Sequence, residues 1–160
     1  MIRRVRIQDA ADMVAIYNRY ITDTTVTFEK EPISVCEMQK RISDIASSFP
    51  YFVYEDQGRV AGYAYVHRWK ERAAYAHTLE TTVYLNPDLR HSGIGTALMQ
   101  HVINECRAQG YKALIACITA ENNDSLEFHR HLGFTQASLF HNVGEKFGRF
   151  LDVIDMELQL

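Results

Sequence analysis

Little in this sequence would fix it by covalent or metal cross-links. Its 160 residues include three cysteines, Cys36, Cys106 and Cys117, which are scattered and form no Cys-x-x-Cys pair. That argues against a disulfide framework or a zinc site, so no metal is expected, and it points to reduced thiols in a cytoplasmic setting. Cys106 and Cys117 fall on apolar faces and are expected as small core residues. No apolar run approaches the ~20 residues of a membrane span. The opening MIRRVRIQ is basic but carries no apolar stretch, so it does not read as a signal peptide. A net charge of −3 gives no electrostatic case for nucleic acid or an anionic membrane surface. With three prolines there is no Pro-rich linker, and no repeat or low-complexity tract is present. The length favours one domain, 1–160, and a 47% hydrophobic content with eight Phe and nine Tyr suffices for its core.

Periodicity and punctuation give the elements. Residues 2–7 alternate apolar and charged side chains, as a half-buried strand does. Asp9 is placed to cap a helix running to about Ile21, with Met13, Val14, Ile16, Tyr17 and Tyr20 inward. Thr22 to Pro32 has no period and reads as a loop. Phe28 within it either pins the loop to the core or lines a pocket. Ser34 and Glu37 form a capping box ahead of a helix over 35–47. Strands over 51–54 and 59–68 flank the turn Asp56-Gln57-Gly58, a hairpin. A strand ending at Leu85, a helix over 94–109, a strand over 111–118, a short helix to about Leu132 and two strands over 135–160 complete the chain. The order β-α-α-β-β-β-α-β-α-β-β predicts an α+β fold, with a mostly antiparallel mixed sheet flanked by helices.

The junction at Arg90-His91-Ser92-Gly93-Ile94-Gly95-Thr96 is the most informative stretch. A glycine-rich turn there leads from a strand into a helix N-terminus, whose free N–H groups and dipole attract phosphate. It is not a P-loop, because no lysine follows Gly95. It is not the dinucleotide fingerprint, because Leu98 stands where the third glycine belongs. A plain tight turn would account for Gly-x-Gly equally well.

The surrounding order decides it. Arg90–Gly95 after a strand, then a helix, a strand, Asn122 and a short helix ending in Leu132-Gly133-Phe134, resembles the GNAT N-acetyltransferases. TTVTFEKEP, WKERAAY (69–75), ETTVYL (80–85), the Phe128-His129 pair and VGEKFGRFLDV (143–153) resemble more specifically the phosphinothricin and methionine-sulfone acetyltransferase branch. The resemblance covers essentially the whole chain. It implies a GNAT fold and acetyl-CoA as co-substrate. It also implies acetylation of the α-amino group of a small amino acid analogue, and a homodimer.

Candidate residues follow. Amine acetylation needs a base, because an α-ammonium with a pKa of about 8 is mostly protonated at neutral pH. Glu80 is the lone acid in an apolar, Thr-rich strand; on its own it also reads as an outward strand residue in solvent. The resemblance makes it the base, acting through water. His129 stands where most of the family carries a tyrosine that protonates the departing thiolate; a histidine can act as acid or base. By resemblance, Val83, Tyr84 and Leu85 pair their backbone with the pantetheine arm, and Arg90, His91, Ser92, Gly93, Ile94, Gly95 and Thr96 hold the pyrophosphate. Asn122, with Ser125 beside it, binds the pantetheine or caps the next helix. Substrate choice falls to Phe28, Lys70, Arg72, Tyr75 and Phe150: a carboxylate calls for a cation, and Arg offers a bidentate fork. Lys70 and Arg72 also read as ordinary loop charges beside Glu71. Two further readings remain. One is acetylation of a protein or peptide N-terminus. The other is a non-catalytic acyl-CoA sensor, against which the joint presence of Glu80 and His129 argues.

Overall fold

A computed structural model describes residues 1–89 and 92–160. In chain order it contains β1 (Ile2–Arg4), α1 (Ala10–Asp23), α2 (Val35–Ala46), β2 (Tyr51–Asp56), β3 (Arg59–Arg68), β4 (Thr78–Leu85), α3 (Ile94–Ala108), β5 (Ala113–Thr119), α4 (Asn123–His131), β6 (Thr135–Lys146) and β7 (Arg149–Gln159). The strand and helix order is the expected one. One sheet joins all seven strands in the order β1-β2-β3-β4-β5-β7-β6, antiparallel except between β4 and β5.

Side-chain alternation gives the sheet two apolar faces. Leu79, Leu114, Ala116, Ile154 and Met156 meet Leu98, Met99, Val102, Ile103 and Cys106 of α3 on one of them. Full burial of each large aliphatic side chain is worth ~1.5–3 kcal/mol, which is what fixes α3 against the sheet. Tyr51, Val53 and Tyr63 meet Met13, Ile16, Tyr17 and Ile21 of α1 and Met38 and Ile42 of α2 on the other. Ser34 caps α2, its Oγ accepting from the Glu37 N–H at 3.0 Å; the expected return arm of a capping box is not formed, because the Glu37 carboxylate accepts from Arg41 Nε at 2.8 Å.

Asp9 does not cap α1. Its carboxylate takes a bidentate pair from Arg3 at 2.8 Å and the Arg6 N–H at 2.7 Å. These bonds draw residues 7–9 into a single 3-10 turn, so β1 stops at Arg4 rather than reaching Ile7.

One irregularity positions the site. β3 pairs with β4 as far as Leu85, and β7 pairs with β5 as far as Thr119. β4 and β5 pair with each other only at Thr78↔Ala113, Leu79↔Leu114 and Glu80↔Ile115. Past Glu80 the two strands part. Their facing backbone edges then border a cleft.

Candidate active site

The cleft in this fork has two connected lobes of about 260 and 530 Å³, which share Val26, Val83, Tyr84, Asn122 and Ser125. The smaller brings together Phe28, Glu80, Thr82, Cys117, Asn122, Ser125 and His129. The larger runs along Val83–Leu85 to Gly93, Gly95 and Thr96 at the start of α3.

The larger lobe is built by backbone. β4 offers an unpaired edge beyond Glu80, although the Leu85 carbonyl already accepts from Tyr20 Oη at 2.7 Å. α3 begins after Gly93, whose left-handed φ of +81° suits glycine, and no side chain caps it. Its first-turn N–H groups are therefore open to an anion. Gly95 has a packing role as well: a Cβ there would lie 3.1 Å from Leu85 Cδ1 and 3.4 Å from Phe128 Cε2. Ile94 is buried in the core, and the Ser92 hydroxyl donates to the Leu89 carbonyl at 2.6 Å. Neither lines the cleft. Arg90 and His91 lie outside the described residues.

The smaller lobe carries the titratable groups. Glu80 sits at the last paired position of β4 and β5, where a side chain reaches both the lobe and the open face of the sheet. Burial pushes its carboxyl above the usual range. Asp155 adds to this, and His67, 3.8 Å away, opposes it. His129 is buried between the rings of Phe128 and Phe134, both edge-on at 5.1 Å. Its Nδ1 lies 2.8 Å from the Ser125 carbonyl oxygen. A carbonyl only accepts, so Nδ1 carries the proton and Nε2 keeps the lone pair. Burial also pulls the imidazole below its ordinary value, and the bond to Ser125 only partly offsets this. His129 at neutral pH is thus a neutral acceptor at Nε2, rather than a group titrating freely in either direction.

Asn122 caps α4, its Oδ1 accepting from the Ser125 N–H at 3.2 Å, while it also borders both lobes. Cys117 is not a core residue: it opens onto the smaller lobe. The lobe floor around it, then Asp155 and Glu80, push its thiol up to about 12.

The substrate candidates separate. Phe28 lines the lobe, and its segment is tied down on all sides. Thr119 Oγ1 donates to the Thr25 carbonyl at 2.6 Å and buried Lys146 Nζ to the Thr27 carbonyl at 2.7 Å. Lys30 pairs with Glu145, and Glu29 takes a bidentate pair from Arg41 at 2.7 and 2.8 Å. Lys70, Arg72, Tyr75 and Phe150 are not brought to either lobe. Lys70 Nζ stacks over Trp69 and Tyr75, at 4.2 and 5.1 Å from the ring centres. Arg72 is exposed in the loop adjoining Glu80's end of β4. Phe150 projects from β7 at 71% exposure, so it forms no wall of this cleft. Sequence reasoning missed His67 and Lys146. The signal for Lys146 was its place in VGEKFGRFLDV; nothing in the sequence marked His67.

Comparison with known proteins agrees with this architecture. Residues 2–155 match the family model described as an acetyltransferase (GNAT) domain. The chain is 36% identical over 161 residues to a phosphinothricin N-acetyltransferase of Alcaligenes faecalis, covering 99% of this chain and 82% of that one. It is 35% identical to an L-methionine sulfoximine/L-methionine sulfone acetyltransferase of Pseudomonas aeruginosa, covering 99% and 94%. The structure of a GNAT superfamily phosphinothricin acetyltransferase from Sinorhizobium meliloti in complex with acetyl-CoA superposes with a TM-score of 0.96. It is 35% identical and covers 100% of this chain and 88% of that one.

Proposed function

The chain belongs to the GNAT acetyltransferase family, and we propose that it transfers the acetyl group of acetyl-CoA to the α-amino group of a small amino acid analogue of the phosphinothricin, methionine sulfone or methionine sulfoximine type. The observation that carries this reading is the position of Glu80 at the fork, between the lobe with the open β4 edge and the face an acceptor can reach.

Acetyl-CoA supplies an activated thioester acetyl group. The larger lobe fits it: the edge at Val83–Leu85 offers backbone pairing to an amide-bearing arm, and the uncapped start of α3 offers N–H groups to a pyrophosphate. Glu80, held above the usual carboxylate range, is suited to take a proton from an ammonium near neutral pH. His129, its Nδ1 held by the Ser125 carbonyl, offers Nε2 as an acceptor at the lobe. Phe28 covers the acceptor side of the lobe. Arg72 and Lys70, on the loop next to Glu80's end of β4, are the cations we assign to the acceptor carboxylate.

The chain acts in the cytoplasm on this reading, as one domain over 1–160 with free thiols; no helix among the described residues is long and apolar enough to cross a membrane. A homodimer is proposed through the β6–β7 hairpin, on which Leu139, Phe140, Val143, Phe147 and Phe150 are each exposed. A monomer by light scattering would end that proposal.

The direct test is thiol release from acetyl-CoA with phosphinothricin, methionine sulfone, methionine sulfoximine, ordinary amino acids and a short peptide. Turnover of the sulfone, sulfoximine or phosphinothricin, with kcat lowered ~100-fold in Glu80→Gln, is expected. Turnover of the peptide alone would move the substrate class to protein N-termini. Acetyl-CoA binding without turnover of any acceptor would replace catalysis by sensing.

A further inference from the structure

Glu80 has a neighbour that the reaction as described leaves unused. His67 of β3 stands directly opposite it in the antiparallel register, on the same face of the sheet. The row continues through Ile115 of β5 to Glu157 of β7. His67 Nδ1 lies 2.9 Å from the Arg68 carbonyl oxygen. Because that oxygen only accepts, Nδ1 holds the proton, and Nε2 is left as a lone pair 3.8 Å from Glu80 Oε1. Two acceptors face one another across this gap, which a single shared proton would satisfy.

The surroundings give the proton a direction. Glu80 lines the cleft, whereas His67 lies on its far side and is one-third exposed to solvent. The other titratable groups facing Glu80 are Tyr65 on β3, Cys117 on β5, Asp155 and Glu157 on β7, and His129 across the lobe. Burial keeps Cys117 and Tyr65 protonated, and neither Asp155 nor Glu157 has a contact to Glu80 as short as that of His67. His129 is separated from Glu80 by the lobe itself. Among the described residues, the base within ion-pair distance of Glu80 is His67.

We infer that His67 is the relay that clears Glu80: once Glu80 has taken the proton of the acceptor ammonium, its O–H closes the 3.8 Å gap to a hydrogen bond on Nε2, and His67 takes the proton there and releases it to solvent. The first transfer frees the amine lone pair and leaves Glu80 protonated. The second restores the carboxylate and makes an imidazolium. Loss of that proton to water returns neutral His67. The freed amine forms the N–C bond as the C–S bond breaks, and its second proton leaves with the thiolate as coenzyme A thiol, so one proton is released per turnover and the cycle balances. This rests on the reading of Glu80 as base. His67 acts through Glu80 and touches neither substrate.

The test is His67→Gln, assayed with the best acceptor of the panel from about pH 5.5 to 9.5. The relay predicts kcat lower by about tenfold, with the KM values of acceptor and acetyl-CoA within about twofold. It predicts that the acidic limb of the profile moves to higher pH, because at the acid end a protonated His67 would otherwise lower Glu80. It also predicts partial recovery of kcat with added imidazole. Recovery by imidazole is not expected of a residue that only shapes the sheet; His67→Asn, shorter and equally non-titrating, serves as a second variant should Gln unfold. Unchanged kcat and an unmoved acidic limb would overturn the relay, as would a loss that appears only in KM and ignores imidazole. Failure of the Glu80 reading looks different: Glu80→Gln would keep its rate while the wild-type residue at position 67 is intact.

Discussion

The ring of Phe28 occupies the space in which a side chain on Gly144 would lie. A Cβ placed on Gly144 would meet Phe28 Cζ at 2.5 Å and Cδ2 at 2.8 Å. The backbone there is not left-handed, so the need for glycine is steric. This contact joins β6 to the loop that lines the acceptor lobe.

Gly144→Ala must therefore push the Phe28 ring. Overpacking of this kind costs about 1–3 kcal/mol. The expected kinetic result is an acceptor KM raised by about tenfold at most, with the KM for acetyl-CoA unchanged. Phe28→Ala combined with Gly144→Ala should be no worse than Phe28→Ala alone, because the clash has lost one partner. Strictly additive losses would show that Gly144 acts elsewhere.

Asp9 supplies a pH-dependent stability prediction. Burial pushes its carboxyl up, but the Arg3 guanidinium and the Arg6 N–H together outweigh this and hold it below its ordinary value. A depressed folded value means stability that is present above the unfolded pKa of about 4 and is lost as pH falls through the folded value. Asp9→Asn keeps the shape and loses the charge. It should cost roughly 1–3 kcal/mol at pH 7. Urea denaturation should show that gap closing below about pH 4; an equal gap at both pH values would refute the role given to the charge.

How much of this was legible depended on how many residues carried each signal. The apolar stripe Leu98, Met99, Val102, Ile103, Cys106 fixed α3 within a residue at its ends, because several burials agree. Ser34 was legible as a cap because its partner is three residues away. Asp9 looked like the same kind of cap, yet Arg3 reaches it from a strand, and a nearby cation outcompetes an N–H dipole. Cys117 was misread because β5 looks apolar throughout; the parting of β4 and β5, which opens that side to the cleft, is a property of pairing rather than of β5 itself. His67 became visible only through its register with Glu80; Lys146 stood in the quoted VGEKFGRFLDV segment, but its partner Thr27 lies 119 positions away.

Cys117 gives a chemical test of the lobe. The thiol is open to the cleft yet pushed up to about 12 by its burial in the floor and by Asp155 and Glu80. At pH 8 only about one molecule in ten thousand would hold the reactive thiolate. Mild iodoacetamide treatment should therefore label exposed Cys36 and spare Cys117, read by peptide mass spectrometry. Glu80→Gln should speed labelling of Cys117 by removing a negative neighbour. Rapid labelling of Cys117 in the wild type would contradict the electrostatics assigned to this floor.

His129 offers the last prediction, on both tautomer and stability. Burial among Phe128, Phe134 and the α4 backbone holds its imidazole below the ordinary value, and the Ser125 carbonyl fixes the proton on Nδ1. Long-range nitrogen–proton NMR at pH 7 should accordingly report a neutral ring with Nδ1 protonated. The sign for stability follows from linkage. The unfolded chain binds this proton near pH 6.5 while the folded chain resists it, so stability is complete above about pH 6.5 and falls as the pH drops from there toward the folded value. His129→Gln, which can still donate toward Ser125 but does not titrate, should remove that slope while leaving the loss attributable to Asp9 at lower pH. If wild type and His129→Gln lose stability in parallel between about pH 6.5 and 5, the histidine is not held neutral, and Nε2 is not the free acceptor on which its part in the site depends.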